Sequence, residues 1–156
     1  MPARLKVALV ASVAGLGACS SASVRPSYQP FPDAPVDTIQ ADAAVVIREA
    51  AERIVARGLM LRTNAPREGY LETRWYDLVS RKSNASGSDA NRIFRLRLFA
   101  DPATPVATKL TVETVYRRIL DPSLPERERE LMVPPGSPGD TLARAMIAEV
   151  KKLHAR

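Results

Sequence analysis

Asn91-Arg92-Ile93-Phe94-Arg95-Leu96-Arg97-Leu98-Phe99-Ala100 sets Phe94, Leu96 and Leu98 two residues apart, with Arg95 and Arg97 between them. Successive side chains of a β-strand point to opposite faces, so this period of two predicts a strand with one apolar and one basic face. Val106 to Arg118 repeats the pattern, placing Leu110 and Val112 opposite Lys109, Thr111 and Glu113. The connection Asp101-Pro102-Ala103-Thr104-Pro105 has turn chemistry, and strands joined by so short a link pair antiparallel. Upstream, Tyr70 to Val79 alternates β-branched and aromatic residues with charges and predicts a third strand. It follows a short segment, Leu59 to Thr63, and the turn Asn64-Ala65-Pro66-Arg67-Glu68-Gly69; Asn84-Ala85-Ser86-Gly87-Ser88 reads as a hairpin loop.

On either side of these strands the period is helical. Asp37 and Thr38 offer an N-cap, and Ile39, Ala43, Val46, Ile47, Ala50, Ile54 and Val55 follow at spacings of three and four, up to Gly58. Glu49 and Arg53 are spaced as an i,i+4 pair on the solvated side. Past the proline-rich stretch Asp121 to Gly136, in which Leu131-Met132-Val133 reads as an edge strand, Ser137-Pro138-Gly139-Asp140 opens a second helix. It carries Leu142, Met146, Val150 and Leu153 on one stripe, and Lys151, Lys152 and Arg156 at its negative end.

One apolar face per strand and one stripe per helix are satisfied by a two-layer α+β domain. An antiparallel sheet of three to five strands would carry an N-terminal and a C-terminal helix on one face. The other face is then wet, with Glu72, Arg74, Arg95, Arg97, Lys109 and Glu113 forming cross-strand charge pairs or a binding surface. Arg74, Arg95, Arg97 and Lys109 are the candidate interaction face. With Leu71, Thr73 and Val79 inward, Trp75 lies under the helices as a core anchor; alternatively it lines a helix-sheet cleft together with Ala50.

The N-terminus points elsewhere. Arg4 and Lys6 precede an apolar segment, Val7 to Leu16, which leads into Leu16-Gly17-Ala18-Cys19. A basic start, a short apolar run and small residues form a secretory signal, and the run is about half the roughly 20 residues a bilayer span requires. Leu16 to Cys19 resembles the lipobox of bacterial lipoproteins. That resemblance implies cleavage between Ala18 and Cys19, diacylglycerol on the Cys19 thiol and acylation of the new amino terminus, which anchors the chain in a membrane. Ser20 stands where an aspartate would retain such a protein in the inner membrane, so the expected location is the outer membrane, facing the periplasm.

The expected organisation is a signal peptide over residues 1–18, an acylated cysteine with a Pro/Ser-rich tether over 19–37, and one α+β domain over 38–156. Pro26, Pro30, Pro32 and Pro35 favour an extended tether of about 50 Å at roughly 3 Å per residue. Tyr28 and Phe31 are the residues that would let this stretch dock instead.

Of 23 basic and 17 acidic residues, the signal peptide holds two basic and no acidic ones, leaving 21 against 17 and a mature charge of +4. A surplus that small and scattered argues against a nucleic-acid partner. The single cysteine, assigned to lipid, leaves no disulfide partner. The single histidine, His154, stands at the chain end as an exposed helix-end side chain, and neither a nucleophile–base arrangement nor a metal-ligand cluster is legible. No cofactor or metal is expected.

One further resemblance spans Ala43 to Leu78. A helix ending in Arg57-Gly58-Leu59, a turn with Glu68-Gly69 and a strand Tyr70-Leu71-Glu72-Thr73-Arg74-Trp75 with its Thr-x-Trp pattern are similar to the BamC-like helix-grip domains of outer-membrane lipoproteins. It implies a fold and a location. Two functions follow as expectations: a non-enzymatic module that binds another envelope protein, with outer-membrane protein assembly as its process, or a carrier of lipid or another apolar ligand in a helix-sheet cleft.

Overall fold

The computed structural model describes residues 23–155. The expected cleavage point at Ala18 and Cys19 lies outside them. The chain forms β1 (Val36–Ile39), α1 (Ala43–Ala56), β2 (Leu61–Ala65), β3 (Tyr70–Thr73), β4 (Tyr76–Asp77), β5 (Lys82–Ser83), β6 (Ile93–Thr104), β7 (Ala107–Arg117), β8 (Glu130–Met132) and α2 (Pro138–Leu153). The fold class is α+β. The antiparallel sheet has eight strands rather than three to five: a path β1-β7-β6-β3-β2, with β4 beside β5 and β6, and β8 beside β7. The additional strands are two to four residues long, too short for a period of two to declare itself.

The β6–β7 hairpin is the spine, pairing Arg95 with Val115, Arg97 with Glu113 and Phe99 with Thr111. Phe94, Leu96, Leu98, Leu110 and Val112 turn their side chains to the helices, where Val46, Ile47, Ala50 and Ile54 of α1 meet Ala143, Met146 and Val150 of α2. Each Val, Leu, Ile, Phe or Met side chain among them, fully removed from water, contributes roughly 1.5–3 kcal/mol.

The helix ends follow local chemistry. At the end of α1, Gly58 takes φ +83°, its N–H reaching Val55 O and that of Leu59 reaching Ile54 O. These two bonds occupy carbonyls the helix would otherwise leave unpaired. In α2, Ser137 Oγ accepts from Asp140 N–H at 3.3 Å while Asp140 Oδ2 accepts from Gly136 N–H at 2.9 Å. The start of α1 differs from expectation: Asp42, not Asp37 or Thr38, is the cap, accepting from Ala44 N–H at 2.8 Å. Val36 to Ile39 pairs with Thr111 to Thr108 of β7 as a strand, because the extended path imposed by Pro35 carries into the sheet edge.

Residues 23–37, expected to lie within an extended tether, lie against the sheet instead. Ser23 Oγ and Arg25 N–H both donate to Glu68 Oε2, Arg25 Nη2 donates to Asp101, and Phe31 N–H donates to Glu113. Pro35 O accepts from Val112 N–H at 2.9 Å, leading directly into β1.

Candidate interaction surface

The sheet face away from the helices is not wet. Glu72, Arg97 and Glu113 stand side by side on β3, β6 and β7, and all three are buried. Residues 23–35 cover this face from one side, and a short 3-10 turn, Glu126–Arg129, covers it from the other. Burying one charge without partners is prohibitive, so the layer is built as a lattice of pairs.

Four arginines meet four glutamates there. Arg97 donates to Glu130 at 2.6 and 2.9 Å and through Nε to Glu72 at 2.9 Å. Arg95 Nη1 donates to Glu72 at 2.9 Å and to Glu126 at 2.7 Å. Arg127 grips both oxygens of Glu113 at 2.9 Å, and Arg62 reaches Glu126 at 3.0 Å. Burial alone would lower the affinity of Arg97 for its proton, but the Glu130 carboxylate outweighs it and holds the guanidinium above its ordinary value.

Aromatic rings complete the layer. Tyr28 packs on Phe99 at 6.5 Å between centroids, and the Arg127 guanidinium lies 4.4 Å over Tyr28 and 3.6 Å over Phe31. Desolvation raises the Tyr28 hydroxyl above its usual pKa. Arginine stacks on aromatic faces more readily than lysine because its guanidinium is flat and weakly hydrated.

The candidate residues therefore separate. Arg95 and Arg97 are buried and unavailable to a partner, whereas Lys109 and Arg74 are exposed, Arg74 bonding Asn84 Oδ1 at 2.9 Å. Ala50 lies in the core beneath α1. Trp75 is on the opposite face, packed with Ile93 and Val115 and held between Arg95 at 4.4 Å and Arg117 at 4.1 Å.

The cause is one extra residue. β3 pairs with β6 so that 72 faces 97, but β4 pairs so that 76 faces 94, and the insertion at Arg74-Trp75 reverses the side-chain alternation. Tyr76 consequently enters the main core, and Val79 is exposed. Trp75 and Ala50 thus do not share a cleft; among the described residues, the space between helices and sheet is filled by the core side chains. His154, expected to be exposed, is half-buried 2.8 Å from Glu49 Oε2, and Arg53 reaches Glu49 through its backbone carbonyl, at 3.0 Å, rather than through the carboxylate.

Exposed apolar side chains occur at both ends of the sheet. The hairpin tip around Pro105 and Val106 shares one end with the turn Pro66–Glu68 and the C-terminus of α2, where a groove of about 670 Å³ runs between Val106, Thr38, Lys151 and His154. Leu78, Val79, Ile119 and Leu120 are exposed at the other end. Tyr28, Phe31, Glu126, Arg127 and Glu130, which build the covered layer, were not singled out together by the sequence pattern; the two aromatics among the prolines were its only outward sign. No protein-family model matches the chain, and no curated protein matches it.

Proposed function

We propose that this chain is an outer-membrane lipoprotein facing the periplasm, anchored through lipid on Cys19, and that it serves as a non-enzymatic interaction module in the cell envelope, with outer-membrane protein assembly as its process. The observation that carries the proposal is the short interval between Leu16-Gly17-Ala18-Cys19 and Ser23, whose hydroxyl is bound to Glu68 of the folded domain. An anchor placed so close to a folded domain holds that domain at a membrane surface. Three acyl chains make such attachment stable, since two signals already suffice.

The surface offered to a protein partner is the end of the sheet remote from the anchor. Leu78, Val79, Ile119 and Leu120 are exposed there, and clustered exposed apolar residues mark protein contacts on otherwise polar surfaces. The carrier alternative loses its seat, because Ala50 is enclosed in the core and Trp75 lies beyond the sheet.

The test is photocrosslinking in living cells from position 79 or 120 of a tagged chain, with Cys19→Ala as the unanchored control. A defined envelope protein captured only from the anchored chain is the expected result. Equal capture from both forms, or retention of lipid by the domain with no protein captured, contradicts the proposal.

A further inference from the structure

We infer that the β6–β7 hairpin tip and the C-terminus of α2 form a bilayer-contacting face, which holds the domain upright on the membrane with Leu78, Val79, Ile119 and Leu120 pointing away. The inference rests on the lipid anchor proposed above and adds to it an orientation and a second point of membrane contact.

Chain length limits how far the lipid can lie from the domain. Three residues lie between Cys19 and Ser23, and the four steps from one to the other, at 3.3–3.6 Å each, span at most about 14 Å. Ser23 is fixed on Glu68 in the turn between β2 and β3, and Arg25 is fixed beside it by Glu68 O at 3.1 Å and by Asp101. Both attachment points lie at one end of the sheet, where Ala100 N–H bonds Gly69 O at 2.8 Å. Beyond Asp101 the hairpin runs on to Thr104 and turns back at Ala107. From Asp101 back to Ile93, at the far end of β6, is about 26 Å, at 3.3 Å per residue over eight steps. A lipid attached within 14 Å of Ser23 therefore excludes the end bearing Leu120 from the bilayer and leaves the hairpin end, about 10 Å beyond Asp101, within reach.

The chemistry of that end fits a lipid surface. Val106 is 70% exposed at the tip, Val24 55% and Leu153 49%, which are apolar side chains suited to the headgroup boundary. Exposed Arg67, Lys109 and Lys152 surround them, and long basic side chains keep an apolar stem in the interface while the charge stays among phosphates. The carboxylates nearby are largely engaged: Asp101 by Arg25, Glu68 by Ser23, and Asp37 by Lys151 at 2.7 Å. What this end presents outward is thus apolar and basic, complementary to a bilayer containing anionic lipid.

The test uses the full, acylated chain in vesicles of phosphatidylethanolamine and phosphatidylglycerol. With the Cys19 thiol consumed by lipid, Val106→Cys or Leu120→Cys supplies one site for an environment-sensitive fluorophore, and both positions are exposed enough to leave the fold intact. The expected result is severalfold stronger emission and quenching by nitroxide lipids at position 106, with neither at position 120. Adding Glu68→Gln and Asp101→Asn releases the latch, and the signal at 106 then falls while flotation persists. If the chain floats with the vesicles but position 106 remains as aqueous as 120, the orientation is wrong and the anchor stands. If the chain does not float, the anchor fails and the orientation with it.

Discussion

Arg97 and Glu130 make a two-pronged ion pair across β6 and β8 in which both guanidinium Nη atoms meet a carboxylate oxygen, at 2.6 and 2.9 Å, with neither side chain in contact with solvent. β8 is three residues long and pairs only with β7. The ion pair ties it to β6 in addition to its ladder with β7.

Removing one partner of such a pair leaves the other buried without compensation, which typically costs about 3–5 kcal/mol. Glu130→Ala is expected to lower stability by that order, whereas Arg97→Met combined with Glu130→Leu restores much of it. Urea unfolding of the two variants checks this; equal loss in both would show that the charges act independently.

The layer also makes stability depend on acid. Burial pulls the Glu126 carboxyl upward, but the Arg95 charge and hydrogen bonds from Arg62 and Arg95 outweigh it and bring it down to about 2. An unfolded glutamate titrates near about 4.3. With the folded value below the unfolded one, the contribution is complete above about pH 4.3 and is lost as the pH falls toward 2. The stability difference between the wild type and Glu126→Gln should therefore shrink across that window. A constant difference in unfolding midpoints would contradict the assignment.

Gly69 and Gly58 both take positive φ, at +62° and +83°, yet they differ in surroundings. A Cβ on Gly58 meets nothing within 4 Å, while one on Gly69 falls 2.2 Å from Ala100 O. Gly58→Ala should cost about 1–2 kcal/mol, the ordinary penalty of the left-handed region. Gly69→Ala should cost clearly more, because backbone must move and Arg25 with it; the melting temperatures of the two variants decide the order.

The N-terminal segment should behave as part of the fold. Phe31 N–H is bound to the Glu113 carboxylate beneath the Arg127 guanidinium, so its amide hydrogen should exchange slowly. Phe31→Ala is expected to bring that exchange near the unprotected rate while Leu98, at the centre of β6, keeps its protection. Fast exchange at residue 31 in the wild type would mean that the segment is not held.

The helices and the β6–β7 hairpin were legible because their periods run for ten residues or more and their caps are local: Ser137 with Asp140, Gly58 with the last turn of α1. The alternation also sorted Arg95 and Arg97 from Leu96 and Leu98 correctly. It could not say that the charged face is covered, since that depends on Tyr28, Phe31 and Glu126–Arg129 returning from distant parts of the chain. The four residues of β1 are too few to show a period, and the proline-rich run before them reads as extended whether it is free or docked. Trp75 lies on the face opposite to the one its alternation predicts because a single inserted residue at Arg74-Trp75 leaves no mark in composition while reversing everything after it.

Membrane attachment and orientation both hang on the Cys19 thiol. Mass spectrometry of the mature chain extracted from outer membranes is the direct measurement. The prediction is an N-terminal peptide that begins at Cys19 and carries diacylglycerol and an amide-linked acyl chain. A chain that begins at Met1, or at Cys19 with a free thiol, would contradict the anchor and the membrane orientation drawn from it.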